Sequence, residues 1–307
     1  ARVDIFARVA PFFLLIALGA LAGRLGWLDA RRGGWLSAYT FWIGFPALLL
    51  RWLGDAPPPG RDEVTSLVGY GAIMGITLIV VWAIGRRLNL PRPAAAGAPM
   101  AAVVGNTAFL GAPLAAAVLG EGVRPLAAAV VAVDFILLMG VAVAILQTGA
   151  PSLGLGAALR RVLANPTVLG AVGGLAIAAF GLRLPGPADQ GLTVLAASAS
   201  PVALLALGGL IGREGLRIGP GEGAALGLVL SVKLALAPLL VWLVLTWLGV
   251  DPTARATLTL LAACPTAVNV FIQTRALDVF ARGAAQAVIA GTILSLLSLT
   301  ALAHFLT

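Results

Sequence analysis

An all-α polytopic membrane protein is the fold class this sequence predicts, and three observations predict it. Of the 307 residues, 60% are hydrophobic and 10% charged, with a mean hydropathy of +1.04, whereas soluble domains carry about 25% charged residues. The apolar residues fall in runs long enough to cross a bilayer, which needs about 20 of them. Two of those runs are interrupted at their centres by glycine, proline, asparagine and threonine. The expected architecture is ten transmembrane helices arranged as two inverted five-helix repeats, with helices 4 and 9 broken.

The spans lie near 4–26, 34–53, 64–88, 93–119, 122–147, 162–182, 188–212, 221–249, 253–277 and 279–306. The run Pro11 to Leu21 has the look of a signal-peptide core, but the segment from Asp4 to Trp27 is long enough to span and the repeat needs it. Connections are short and rich in turn formers, as in Asp55 to Gly60, Pro151 to Gly154, Leu184 to Pro187 and Gly219 to Gly221. No polar segment is large enough for a soluble domain. Residues 1–147 form the first repeat, 148–161 a cytoplasmic linker and 162–307 the second repeat. Five spans per repeat force the second to enter the membrane from the opposite side. Pro46-Ala-Leu-Leu-Leu50 in span 2 and Pro201-Val-Ala-Leu-Leu205 in span 7 echo that relation.

Charge sets the orientation. Loops after spans 1, 3, 5, 7 and 9 hold Arg24, Arg31, Arg32, Arg86, Arg87, Arg92, Arg160, Arg161, Arg213, Arg217, Arg275 and Arg282. The other side holds Arg2, Arg8, Arg51, Arg61, Arg124, Arg183 and Arg255. The richer side is expected to be cytoplasmic, which places both termini outside a cell inner (plasma) membrane. The net charge of +8 is therefore read as a topology signal and not as a nucleic-acid footprint. One cysteine, Cys264, leaves no intramolecular disulfide.

The chemistry concentrates at the two interruptions. Gly105-Asn106-Thr107-Ala108-Phe109-Leu110-Gly111-Ala112-Pro113 lies in span 4, and Cys264-Pro265-Thr266-Ala267-Val268-Asn269 in span 9. Proline lacks a donor and clashes with the preceding turn, so Gly105, Gly111, Pro113, Cys264 and Pro265 are the expected helix breaks. Backbone groups freed in lipid must meet protein, water or ligand, so breaks at mid-depth imply a cavity. Interrupted spans in matching halves point to a transporter's binding site. Half-helix N-termini with amide and hydroxyl side chains suit an anion, which makes Asn106, Thr107, Thr266 and Asn269 the candidate ligands of a small carboxylate. The asparagines would equally suit interhelical hydrogen bonds; their position beside two breaks favours the site.

Asp134 and Lys233 are the charges deep inside spans, in 5 and 8. Such residues face the protein interior and serve ion or proton pathways. They are read either as ion-coupling groups or as a structural charge pair, and both readings stay open. His304, the single histidine, is assigned no role. The chain lacks a Gly-x-Ser-x-Gly elbow, a His-Glu-x-x-His motif and a phosphate loop. A single intramembrane carboxylate cannot make an aspartyl dyad. No enzymatic activity is expected, and a secondary carrier is the leading class. Proton coupling or uniport is expected, with sodium-coupled symport of an organic anion as the alternative and a channel or a membrane receptor for the same ligand class as the less favoured rivals.

At these residues the chain resembles the auxin efflux carrier family, which includes the plant PIN carriers and bacterial malonate and malate carriers. The resemblance rests on the two interrupted motifs, with support from Phe45-Pro-Ala-Leu-Leu-Leu50, Leu163-Ala-Asn-Pro166 and Lys233-Leu-Ala-Leu-Ala-Pro238. It implies a fold like those of bile-acid symporters and sodium–proton antiporters, in which helices 4 and 9 cross at their breaks. Spans 1, 2, 6 and 7 would form a scaffold, and spans 3–5 with 8–10 a transport domain moving as an elevator. It further implies that Asn106 holds the substrate carboxylate. Plant members carry an acidic residue in span 3; Val64 to Leu88 here has none in its apolar interior, and Asp134 stands in span 5 instead. No cofactor is expected beyond H+ or Na+ as a coupling ion. The expected partners are a small carboxylate, the lipid bilayer and a second copy in a homodimer, with no nucleic acid.

Overall fold

A computed structural model describes residues 5–55, 60–149, 164, 166–215 and 222–306. The middle of the loop ending at Gly60, the whole of the 219–221 loop, most of the 148–161 linker, the loop at Pro151, and Arg2, Arg160, Arg161, Arg217, Leu163 and Asn165 lie outside the described residues. The rest is helical. Helices α1 (Ile5–Arg24), α2 (Ala30–Gly54) and α3 (Arg61–Arg87) are followed by the half-helices α4 (Arg92–Val103) and α5 (Thr107–Leu119). Next come α6 (124–146), α7 (Pro166–Phe180), α8 (Gly186–Glu214) and α9 (223–247). The half-helices α10 (Pro252–Ala262) and α11 (Val268–Ala276) precede α12 (Ala281–Leu306). No strand is present among the described residues, only an isolated bridge between Gly105 and Thr266.

Local chemistry accounts for the boundaries. Asp29 caps α2 by accepting the Arg32 backbone N–H at 2.7 Å, and that bond holds its carboxyl below the ordinary aspartate value. Asp62 and Glu63 open α3 while Arg86 and Arg87 close it, each sign facing the dipole end it complements. Asp251 caps α10 by accepting the Ala254 N–H at 2.9 Å. Wide π-helical turns at Thr40–Gly44, Thr107–Gly111 and Val232–Leu236 each precede a proline at the second position of the resumed α-helix: Pro46, Pro113 and Pro238. A π turn shifts the hydrogen-bond register by one residue, so the missing proline donor falls where the register changes and the helix runs on.

Helices α2, α3, α8, α9 and α12 are each long and apolar enough to cross a bilayer, with shorter apolar helices in α1, α5, α6 and α7. Large apolar side chains point outward, among them Leu18, Ile76, Leu239 and Leu297. Such a surface suits hydrocarbon and would be a liability in water. This is a multi-pass membrane protein.

Packing separates two neighbourhoods. Helix α1 lies along α8, while α7 and α8 both lie along α2. At Gly208 the α8 backbone comes so near the carbonyl of Ile16 that a β-carbon would collide with it. The second neighbourhood joins α3 to α4 and α9, α4 to α6 and α12, α9 to α10 and α11 to α12. Its core holds Tyr70, Met74, Met100 and Leu138, all fully buried. The neighbourhoods meet where α2 touches α6 and where α1 and α8 touch α5.

Candidate functional site

The site is built on the two breaks, which cross. After α4 the chain turns extended at Val104, and Gly105 pairs with Thr266 in an antiparallel bridge. Asn106 donates its N–H to the Pro265 carbonyl at 2.7 Å, and Ala267 donates to Val104 at 3.1 Å. Each break thus satisfies backbone groups that the other exposes, as hydrocarbon requires. The end of α4 is sealed further. Thr266 Oγ1 donates to the Ala101 carbonyl at 2.7 Å, and Lys233 Nζ donates to the Val103 carbonyl at 2.9 Å. A β-carbon on Gly105 would lie 2.7 Å from Lys233 Nζ, so only glycine admits the ammonium there.

Gly111 and Pro113 differ from the expectation that they break the span. Both sit inside α5, beyond the interruption, because the π turn Thr107–Gly111 accommodates the proline. The discontinuity is confined to Val104–Asn106 in one span and to Cys264–Thr266, with Ala267 as the cap of α11, in the other.

Asp134 begins a further π turn in α6 and is buried. Its Oδ1 accepts from the Tyr70 hydroxyl at 3.0 Å, and its Oδ2 accepts from Thr107 Oγ1 at 2.7 Å. No ion pair joins Asp134 to Lys233 among the described residues; each holds a different end of the broken span. The carboxylate stands at the start of α5 and the ammonium at the end of α4, the ends where helix dipoles favour those signs. Asp134 and Lys233 thus anchor separate ends of the break without a contact ion pair, while each still feels the other's charge. Tyr70 was not legible as a partner, although a tyrosine in the centre of the apolar α3 was a signal: the chain has only two.

The asparagines differ from the threonines. Asn106 and Asn269 are buried, yet the Asn106 Oδ1 and both polar atoms of Asn269 have no hydrogen-bond partner among the described residues. Both line one cavity of about 50 Å³. Thr40 and Phe45 of α2, Leu207 of α8, Phe109 of α5 and Phe135 of α6 complete its walls. The Phe45 ring lies 4.6 Å from that of Phe109 and 5.4 Å from that of Phe135. Thr107 and Thr266 do not line the cavity, and their hydroxyls are committed to Asp134 and Ala101. Cys264 is buried with its thiol directed at the Leu260 carbonyl. The cavity is an apolar, aromatic space with unspent amides at one end.

This geometry meets its counterpart in sequence comparison. The family model described as membrane transport protein matches residues 4–303. The chain belongs to that family, the auxin efflux carrier family of the resemblance. A relative from Rhizobium meliloti (strain 1021), named "Putative malonate transporter", is 31% identical over 316 residues, covering 99% of this chain and 96% of the relative. The alignment leaves no large part of either protein unmatched, and the family is one of membrane transport proteins.

Proposed function

We propose that this chain is an elevator-type secondary carrier for a small organic anion, held by its carboxylate at the crossing of the two broken spans. One observation carries the reading: buried amide atoms without protein partners border a cavity at that crossing. An unsatisfied buried polar group costs about 1–3 kcal/mol, a cost that a carboxylate accepting from Asn269 Nδ2 would recover at that atom. The cavity lining holds aromatic rings and no charged side chain. That favours one carboxylate on an apolar body over a dianion such as the malonate in the relative's name.

The described helices read as ten crossings in two inverted repeats, with α4–α5 and α10–α11 as the split pair. The neighbourhood of α1, α2, α7 and α8 would be the scaffold and the other the moving domain; the cavity lies between them, as an elevator requires. Asp134, fixed to Thr107 beside Asn106, is the candidate proton-coupling group. The Lys233 ammonium already occupies the freed Val103 carbonyl, which favours proton coupling or uncoupled transport over sodium symport. Both termini outside the plasma membrane and a homodimer complete the reading.

Thermal-shift measurements on purified protein with acetate, benzoate and malonate, with and without Na+, test it. Wild type should be stabilised most by benzoate and Asn106→Ala should show a clearly smaller shift, since a hydrogen bond to a charged group contributes about 1.5–3 kcal/mol. Equal shifts in both proteins would move the site elsewhere, and a Na+-dependent shift would restore sodium symport. In vesicles, transport by Asp134→Asn should lose the pH dependence of wild type; an unchanged pH profile would remove Asp134 from coupling.

A further inference from the structure

We infer that the chain holds a second carboxylate station, in a vestibule across an aromatic wall from the crossover cavity, with Arg124 as its anion-binding group. The inference rests on the carrier reading above and names a site that reading does not use.

A cavity of about 520 Å³ lies between α1, α2 and α8 on one side and α5 and α6 on the other. It follows the same interface as the crossover cavity. Helix α2 gives Phe45 to the crossover cavity and Leu48, Arg51 and Trp52 to the vestibule. Helix α5 gives Phe109 to the first and Pro113 to the second. Steps of three and four residues advance about 4.5–6 Å along a helix. The partition is therefore about one helical turn thick and is faced by the contacting rings of Phe45, Phe109 and Phe135.

The two chambers differ in charge. The vestibule holds Arg51, Arg124 and Asp55, where the crossover cavity has no charged lining residue. Arg51 is already neutralised by two carboxylates: it pairs with Asp55, lies 3.6 Å from Asp189 and donates to Thr193 Oγ1 at 3.2 Å. Arg124 gives one nitrogen to Glu121 at 2.5 Å and lies with its guanidinium carbon 5.6 Å from the centre of the Trp52 ring. A guanidinium has five N–H donors, so its donors are not exhausted by Glu121, and the indole beside it offers a flat apolar surface. Ser200 lines the same chamber, is 7% exposed, and its hydroxyl oxygen has no partner among the described residues. A guanidinium, an unspent buried hydroxyl and an indole together fit a carboxylate on a flat apolar body. Arg124 and Trp52 also belong to opposite neighbourhoods, so the station sits on the seam that transport would move.

The test is calorimetric titration of the purified full chain with benzoate, on wild type, Asn106→Ala, Arg124→Gln and the double variant. Asn106→Ala should keep one benzoate site, weakened about tenfold by Arg124→Gln, the equivalent of one charge-assisted bond. Arg124→Lys should retain part of it, and Trp52→Leu should weaken the same site from the α2 side. If Asn106→Ala keeps no site, or keeps one indifferent to Arg124→Gln, the vestibule station is overturned and the carrier reading stands. If wild-type binding ignores Asn106→Ala but is lost with Arg124→Gln, the vestibule stands and the crossover assignment fails. Absence of benzoate binding to wild type overturns both.

Discussion

The two breaks bridge each other, yet they are stabilised by different means. The first, at Val104–Asn106, has a charge at each end: the Lys233 ammonium on the Val103 carbonyl and the Asp134 carboxylate on Thr107. The second, at Cys264–Thr266, is held by neutral bonds alone, Thr266 to Ala101 and the paired backbone bonds to the first break. One break is a fixed electrostatic frame and the other leans on it. Two breaks that cross need not share the same chemistry, because a single set of internal charges suffices to seal the crossing.

The largest expected effect breaks that asymmetry. Lys233→Met removes a charged donor and leaves the Val103 carbonyl unsatisfied, a loss of about 3 kcal/mol. Thr266→Val, on the neutral break, should cost about 1–2 kcal/mol. Unfolding of both variants in detergent checks the order; equal losses would mean the charge contributes nothing special. Next is Gly105→Ala, whose β-carbon would meet Lys233 Nζ at 2.7 Å. Overpacking of this kind costs about 1–3 kcal/mol. In a double-mutant cycle Lys233→Met should relieve part of it, and strict additivity would place the strain elsewhere. The smallest effect sharpens the contrast between frame and site. Asn269→Ala deletes an amide without protein partners, so stability should be kept or raised, removal of about 1–3 kcal/mol of unsatisfied polar cost offsetting the lost packing, while benzoate binding falls. A large loss of stability would make Asn269 part of the frame.

Much of this was legible in the sequence because lipid imposes simple rules. Span positions followed from apolar length, and the breaks at Gly105 and Pro265 from residues that cannot continue a helix. Asn106 and Asn269 were legible as a pair because each places a polar amide beside a helix break, where hydrocarbon offers it nothing to bond. Thr107 and Thr266 looked equivalent to them and were not. A hydroxyl can turn to a carboxylate or a backbone carbonyl within its own wall, and which it does depends on neighbours distant in sequence, Asp134 and Ala101. Pro113 misled for a related reason: a π turn absorbs a proline, and its presence is not written in the proline itself.

The sequence by itself determined the membrane class, the long apolar helices, the two discontinuities and the presence of one deep carboxylate and one deep ammonium. All of these follow from composition and from backbone constraints that act within a turn or two. Only the tertiary structure decided that the breaks bridge each other, that Asp134 bonds Tyr70 and Thr107 with no contact pair to Lys233, and that Asn106 Oδ1 and the Asn269 amide are left without partners among the described residues. Those outcomes depend on which partners three dimensions bring within about 3 Å of a buried polar atom, and sequence order does not carry that distance.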